Sequence, residues 1–214
     1  MGNFDRSDIL EERLRDILKE MREKYFEEWS KFSNEFMNRI SDIRRTLLNI
    51  INKESEITRE DVEELYKKID PIERSSKIFM SGYTFMYGRS RKTTLQILND
   101  DRVKNFLKHF ETANSIEGLS EMDVWNVNFV GGTVLTSLGA IVNSKLFIPL
   151  HKYTINSKVR KEIGLEERFL IGSGRHSREK VERFLISLKK AAEEVEIDNL
   201  LEAAFLGRVH QGAF

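Results

Sequence analysis

The sequence predicts a mostly α-helical protein, with a long N-terminal helical arm over residues 1–73 and a multi-helix core over residues 74–214. Two observations carry this. Apolar residues recur every three or four positions through much of the chain, the period of one helix face. Proline, which breaks helices, occurs only at Pro71 and Pro149. A third observation shows where the core is specialised. In a chain that is 33% charged, no Asp, Glu, Lys or Arg falls between Asp123 and Lys145, and this silent run carries the pair Gly131–Gly132.

The elements follow in order. Leu10, Leu14, Ile17, Met21, Tyr25, Trp29, Phe32, Phe36, Ile40, Ile43, Leu47 and Ile51 form one stripe with no glycine or proline inside it, so residues 8–52 read as one long helix or two in tandem. Its N-cap is offered by Ser7 and Asp8, with acids in the first turn. So aromatic a stripe is unlike a two-stranded coiled coil; it is expected to pack on the body or to self-associate. Thr58 and Asp61 mark the start of a second helix, faced by Val62, Leu65, Tyr66 and Ile69 and ended by Pro71. Aromatic and small residues then alternate up to Gly88, as in a loop or a short pair of strands. Helices are expected from Ser90, from Asp101 to Thr112, from Ser120 to Val127, from Thr133 to Val142, from Asn156 to Ile163, from the end of the polar loop 172–177 to about Val195, and from Asp198 to Leu206.

Composition removes several classes of function. The absence of cysteine excludes disulfides and thiolate zinc sites. The histidines His109, His151, His176 and His210 show no ligand spacing, so neither metal nor cofactor is expected. No apolar run reaches the roughly 18–20 residues of a membrane span. The N-terminus is not a signal peptide, and a soluble cytoplasmic protein is the expectation. Abundant Glu, Lys and Arg without cysteine are compatible with a thermophile. "GSGRHSREK" (172–180) lacks the end of a phosphate loop. Paired acids such as Asp100–Asp101 and Glu193–Glu194 read as caps and solvated surface.

Charge is zero overall but unevenly spread. Residues 1–73 carry net −5, residues 74–190 net +9 and residues 191–214 net −4. A basic middle attracts polyanions.

The silent run suggests how one could be held. A helix, a turn through Val130–Gly131–Gly132 and a second helix from Thr133 form a helix-hairpin-helix layout. Glycine keeps Cβ atoms away from a phosphate, and the N–H groups opening the second helix can receive it. Such a contact carries no base information. Ordinary helix connection and burial are the plainer reading of the same residues. The basic flanks are Arg89, Arg91 and Lys92 upstream and Lys145, Lys152, Lys158, Arg160 and Lys161 downstream. In "GYTFMYGRSRK" (82–92), Tyr83 and Tyr87, with Phe85 between them, could stack on exposed bases or could belong to the core.

With "FVGGT" at the turn, "LFIPLHKYTINSKVRKEIGL" (146–165) after it and "IDNLLEAAFLG" (197–207) near the end, residues 120–207 resemble the core of the helix-hairpin-helix DNA glycosylase superfamily. The likeness extends to the non-catalytic DNA-reading segments of McrB-type modification-dependent restriction systems. It implies duplex DNA as partner, with Gly131, Gly132 and Thr133 at the phosphate and a modified or distorted base as the feature read. The family's catalytic groups are missing. "IPLHKYTIN" (148–156) contains no acid, and no lysine lies between Lys108 and Lys145. His151 and Tyr153 stand in that loop instead, and His151 reads as an ordinary loop histidine. The expectation is therefore DNA binding without catalysis, within a restriction or repair system. The alternatives are an active glycosylase or lyase with displaced catalytic groups, and a helical interaction or oligomerisation module.

Overall fold

The computed structural model describes residues 5–74, 91–150 and 175–210, with side chains over 9–69, 91–150 and 178–207. The described residues form seven α-helices and two short 3-10 turns, with no strand among them.

Helix α1 (Asp5–Ile51) is unbroken over 47 residues, a length of roughly 70 Å at 1.5 Å per residue. Its predicted stripe is its buried face, from Leu14 and Met21 through Trp29 and Phe36 to Leu47 and Ile51. The same chain covers it: α1 lies against α2 (Arg59–Arg74), α5 (Gly132–Val142), α6 (Arg175–Glu194) and α7 (Leu200–His210). Trp29 meets Phe36 edge to face at 6.1 Å and packs on Phe205 of α7 at 5.3 Å. The arm therefore packs along the body. Of its large apolar residues, Ile9 and Phe26 stay exposed.

A polar clamp fixes the same face. The Arg22 guanidinium donates to the Val195 carbonyl and pairs with Glu196 and Glu202, each at 3.5 Å. Glu202 is buried, and burial pushes its carboxyl above the usual range while Arg22 pulls the other way. Arg22→Ala should therefore cost about 2 kcal/mol near neutrality, less than the roughly 3–5 of a fully buried pair because Arg22 keeps partial water contact. The raised pKa sets the sign: protonation of Glu202 removes the stranded charge, so the loss shrinks as pH falls through its folded value. Chemical denaturation of Arg22→Ala and of Arg22→Ala/Glu202→Gln checks this. A double variant no more stable than the single one at neutral pH would contradict it.

Helix α2 opens as read, with a reciprocal cap. The Thr58 N–H donates to Asp61 at 3.0 Å and the Asp61 N–H to Thr58 Oγ1 at 3.4 Å. Burial raises the Asp61 pKa, but the hydrogen bonds from Lys53 and Thr58 outweigh it and hold the carboxyl below its ordinary value. The helix does not stop at Pro71. It runs to Arg74, because a proline one turn from the end forfeits a single backbone bond.

α3 (Arg91–Asn99) and α4 (Asp101–Thr112) match their expected positions, and Asp100 caps α4 through the Arg102 N–H at 3.0 Å. Phe106 and Phe110 of α4 enclose the ring of Phe147 at 5.8 and 4.8 Å. That ring presses on α5 at Gly139, where a Cβ would come within 2.5 Å of it.

The predicted helix from Ser120 to Val127 is instead two 3-10 turns, Leu119–Glu121 and Asp123–Asn126. Ser120 does not cap them. Gly118 precedes the first, in the left-handed region at φ 87° that favours glycine, and Met122 precedes the second. Glu182 of α6 accepts from the Gly118 and Ser120 N–H groups, so a carboxylate 62 residues away holds the first turn. At the other end of the chain α7 is capped by Asn199, which accepts from the Leu201 N–H at 2.9 Å. The aromatic segment 75–90 and the predicted helix 156–163 lie outside the described residues.

Candidate nucleic-acid interface

The expected helix-hairpin-helix layout is only partly met: two 3-10 turns stand where its first helix was expected, and the residues Val127 to Gly131 lead from the second of them into α5. Gly131 precedes the helix in an extended conformation (φ −120°, ψ −178°), and no side chain caps the helix start. The first turn is tied to the chain that returns past it. Thr133 Oγ1 donates to the Leu150 carbonyl at 3.1 Å, and the Leu150 N–H donates to Thr136 Oγ1 at 3.0 Å. Gly131 and Thr133 are half-buried, whereas Gly132 and every residue from Val134 to Val142 are buried. Burial thus accounts for the missing charge, and backbone approach is confined to the Gly131 side of the turn.

Phe129 stands at the tip. Its backbone is left-handed at φ 66° and its side chain is 60% exposed. A bulky residue in that region is an outlier. The conformation is imposed by its neighbours: Val127 and Val130 are both buried, and the Val130 N–H donates to the Val127 carbonyl at 3.1 Å. With both valines turned inward, the two residues between them, Asn128 and Phe129, face water.

Two arginines from distant elements brace the turn. Arg178 of α6 donates to Asn126 Oδ1 at 2.8 Å and lies 5.8 Å from the Trp125 ring centre. Arg102 of α4 reaches the Asn126 carbonyl at 3.5 Å and forks onto Asp100 at 2.9 and 2.6 Å. Buried Trp125 anchors the turn by donating from Nε1 to the Leu119 carbonyl at 2.7 Å. Asp100 neutralises part of the positive charge that these arginines bring.

The expected site residues are only partly brought together. Gly131, Gly132 and Thr133 form the turn. Lys145 lies past the far end of α5, roughly 16 Å away by helix rise, and is exposed there. Arg91 opens α3, paired with Glu63 at 3.4 Å and stacked 3.8 Å over Tyr66. Lys92 is exposed beside it. Tyr83, Phe85, Tyr87, Arg89, Lys152, Lys158, Arg160 and Lys161 lie outside the described residues, as do His151 and Tyr153.

Phe129, Arg102 and Arg178 were not legible as a group. An aromatic residue two positions before a glycine pair was the one local signal; the arginines come from helices about 25 and 50 residues away, and no sequence spacing relates them. Among the described residues no cluster of acids or histidines could hold a metal ion, and no helix is long and apolar enough to cross a membrane. Compared with known proteins, the chain matches no family model, no curated sequence and no solved structure.

Proposed function

We propose that the protein is a DNA-binding module that holds nucleic acid at the hairpin 127–133 and carries out no base excision there. The observation that carries this is Phe129, an aromatic held strained and in water at a braced turn. A left-handed non-glycine residue costs about 1–3 kcal/mol, and an exposed phenyl returns nothing to folding. Such a feature fits contact with a partner. The flat ring suits a base and the uncapped start of α5 suits a phosphate. The basic balance of residues 74–190 and the likeness of residues 120–207 to the helix-hairpin-helix superfamily support the same partner. An unpaired, modified or distorted base, as in a repair or restriction substrate, is the feature an exposed ring would select.

A protein partner is the second reading, favoured by the Asp100–Arg102 fork, which leaves the tip less basic than a plain phosphate clamp. Salt separates the two. Fluorescence anisotropy with labelled duplex and single-stranded DNA should show binding at about 50 mM salt that weakens roughly tenfold or more by about 200 mM, as counterions are released from several phosphates. No binding at the lower concentration would end the DNA reading and leave the protein partner.

A further inference from the structure

A second site lies at the opposite end of α5. There the ends of α4 and α5, the last third of α1, the end of α6 and the start of α7 enclose a cleft of about 750 Å³, within the usual range for small-molecule pockets. Ile40, Ile141 and Leu146 give it apolar walls. Its rim is charged in both senses: Arg44, Lys145 and Lys189 against Glu111, Glu193 and Asp198. Lys189 and Glu193 pair with each other at 2.6 Å, which leaves two cations and two carboxylates of the lining without an ion pair among the described residues.

Arg44 is the unusual group. A guanidinium has five N–H donors. Arg44 makes one long hydrogen bond, 3.5 Å to the Glu111 carbonyl, and its Nε is buried with no partner among the described residues. That bond closes only one carbonyl at the end of α4, where the Asn143 side chain donates to the Phe110 and Ala113 carbonyls at 2.9 and 3.0 Å. Nη1 also has no partner among the described residues but stays open to solvent, so a carboxylate entering the cleft can meet the guanidinium there.

We infer that this cleft binds a small zwitterion of the amino-acid class. Its carboxylate meets Arg44 and Lys145, its ammonium group meets Asp198 and Glu111, and its side group rests on the apolar wall. A ligand with one charge would leave either the cations or the carboxylates of the rim without a partner. This site is independent of the hairpin and stands or falls separately from the DNA reading.

The test uses the full chain. Thermal unfolding and titration calorimetry are run with each of the twenty standard amino acids at millimolar concentration. The best binder is then compared with its N-acetyl and amide forms, which each lack one charge. The expected result is a raised unfolding midpoint with at least one amino acid, and binding weaker by on the order of tenfold for either blocked form, as for loss of one charged hydrogen-bonded group. Arg44→Gln should weaken binding comparably. Lys145→Ala, at an exposed position, gives a second reading should the first variant not fold. No response to any amino acid overturns the proposal. So does equal binding of parent and blocked forms, or binding that both substitutions leave unchanged.

Discussion

Gly139→Ala is expected to destabilise the protein by about 2–3 kcal/mol, toward the upper end for overpacking a core. The added methyl meets three atoms of the Phe147 ring at 2.5 to 2.8 Å. That ring has no free direction, because Phe106 and Phe110 hold it on its other sides and it is fully buried. Either α5 lifts or the aromatic cluster opens. Phe147→Leu alone should also destabilise, but added to Gly139→Ala it should recover part of the loss by vacating the colliding atoms. Urea denaturation of both single variants and the double variant gives the coupling energy. Strictly additive losses would show that the contact is not the cause. The result bears on the hairpin, since α5 fixes the turn that carries Phe129.

Phe129→Gly should move stability and affinity in opposite directions. Glycine adopts φ 66° without a Cβ penalty, so relief of strain should raise stability by about 1 kcal/mol, less the entropy a glycine adds to the unfolded chain. Loss of the ring should weaken DNA binding by roughly tenfold or more, in line with about 1–3 kcal/mol for one stacked base. Unchanged affinity would remove Phe129 from the interface, and a clear fall in stability would mean that the ring has a structural role. The variant suited to testing backbone approach is Gly131→Val rather than a change at Gly132. Gly131 is extended, a conformation any residue adopts, and half-buried, whereas Gly132 is buried and a side chain there would disturb packing as well.

Periodicity made α1 and α5 readable, because a helix that buries one face, or nearly all of itself, records that in its apolar spacing. The cap at Thr58 and Asp61 was readable because both partners lie within one turn. What covers the α1 stripe was not, since Phe205 and the Val195–Glu202 corner meet Trp29 and Arg22 from the far end of the chain. The two 3-10 turns escaped for the same reason: Ser120 resembles a cap, but Glu182 holds the backbone and Gly118 sets its direction. At the candidate site the glycine pair was visible and burial was its plainer reading, but the sequence did not show that Gly132 is buried while Gly131 is only half-buried. Lys145 looked like a flank of the hairpin because it is near in sequence; an intervening helix puts it on the cleft instead.

The most direct test of the hairpin interface is an amide NMR titration of the full chain with a duplex carrying one mismatched base, at about 50 mM salt, where phosphate contacts are strong. The predicted result is that the largest shifts fall on residues 127–134 and on Arg102 and Arg178, and that they disappear with Phe129→Gly. Shifts confined to other surfaces, or none at a DNA concentration in excess of the protein, would contradict it.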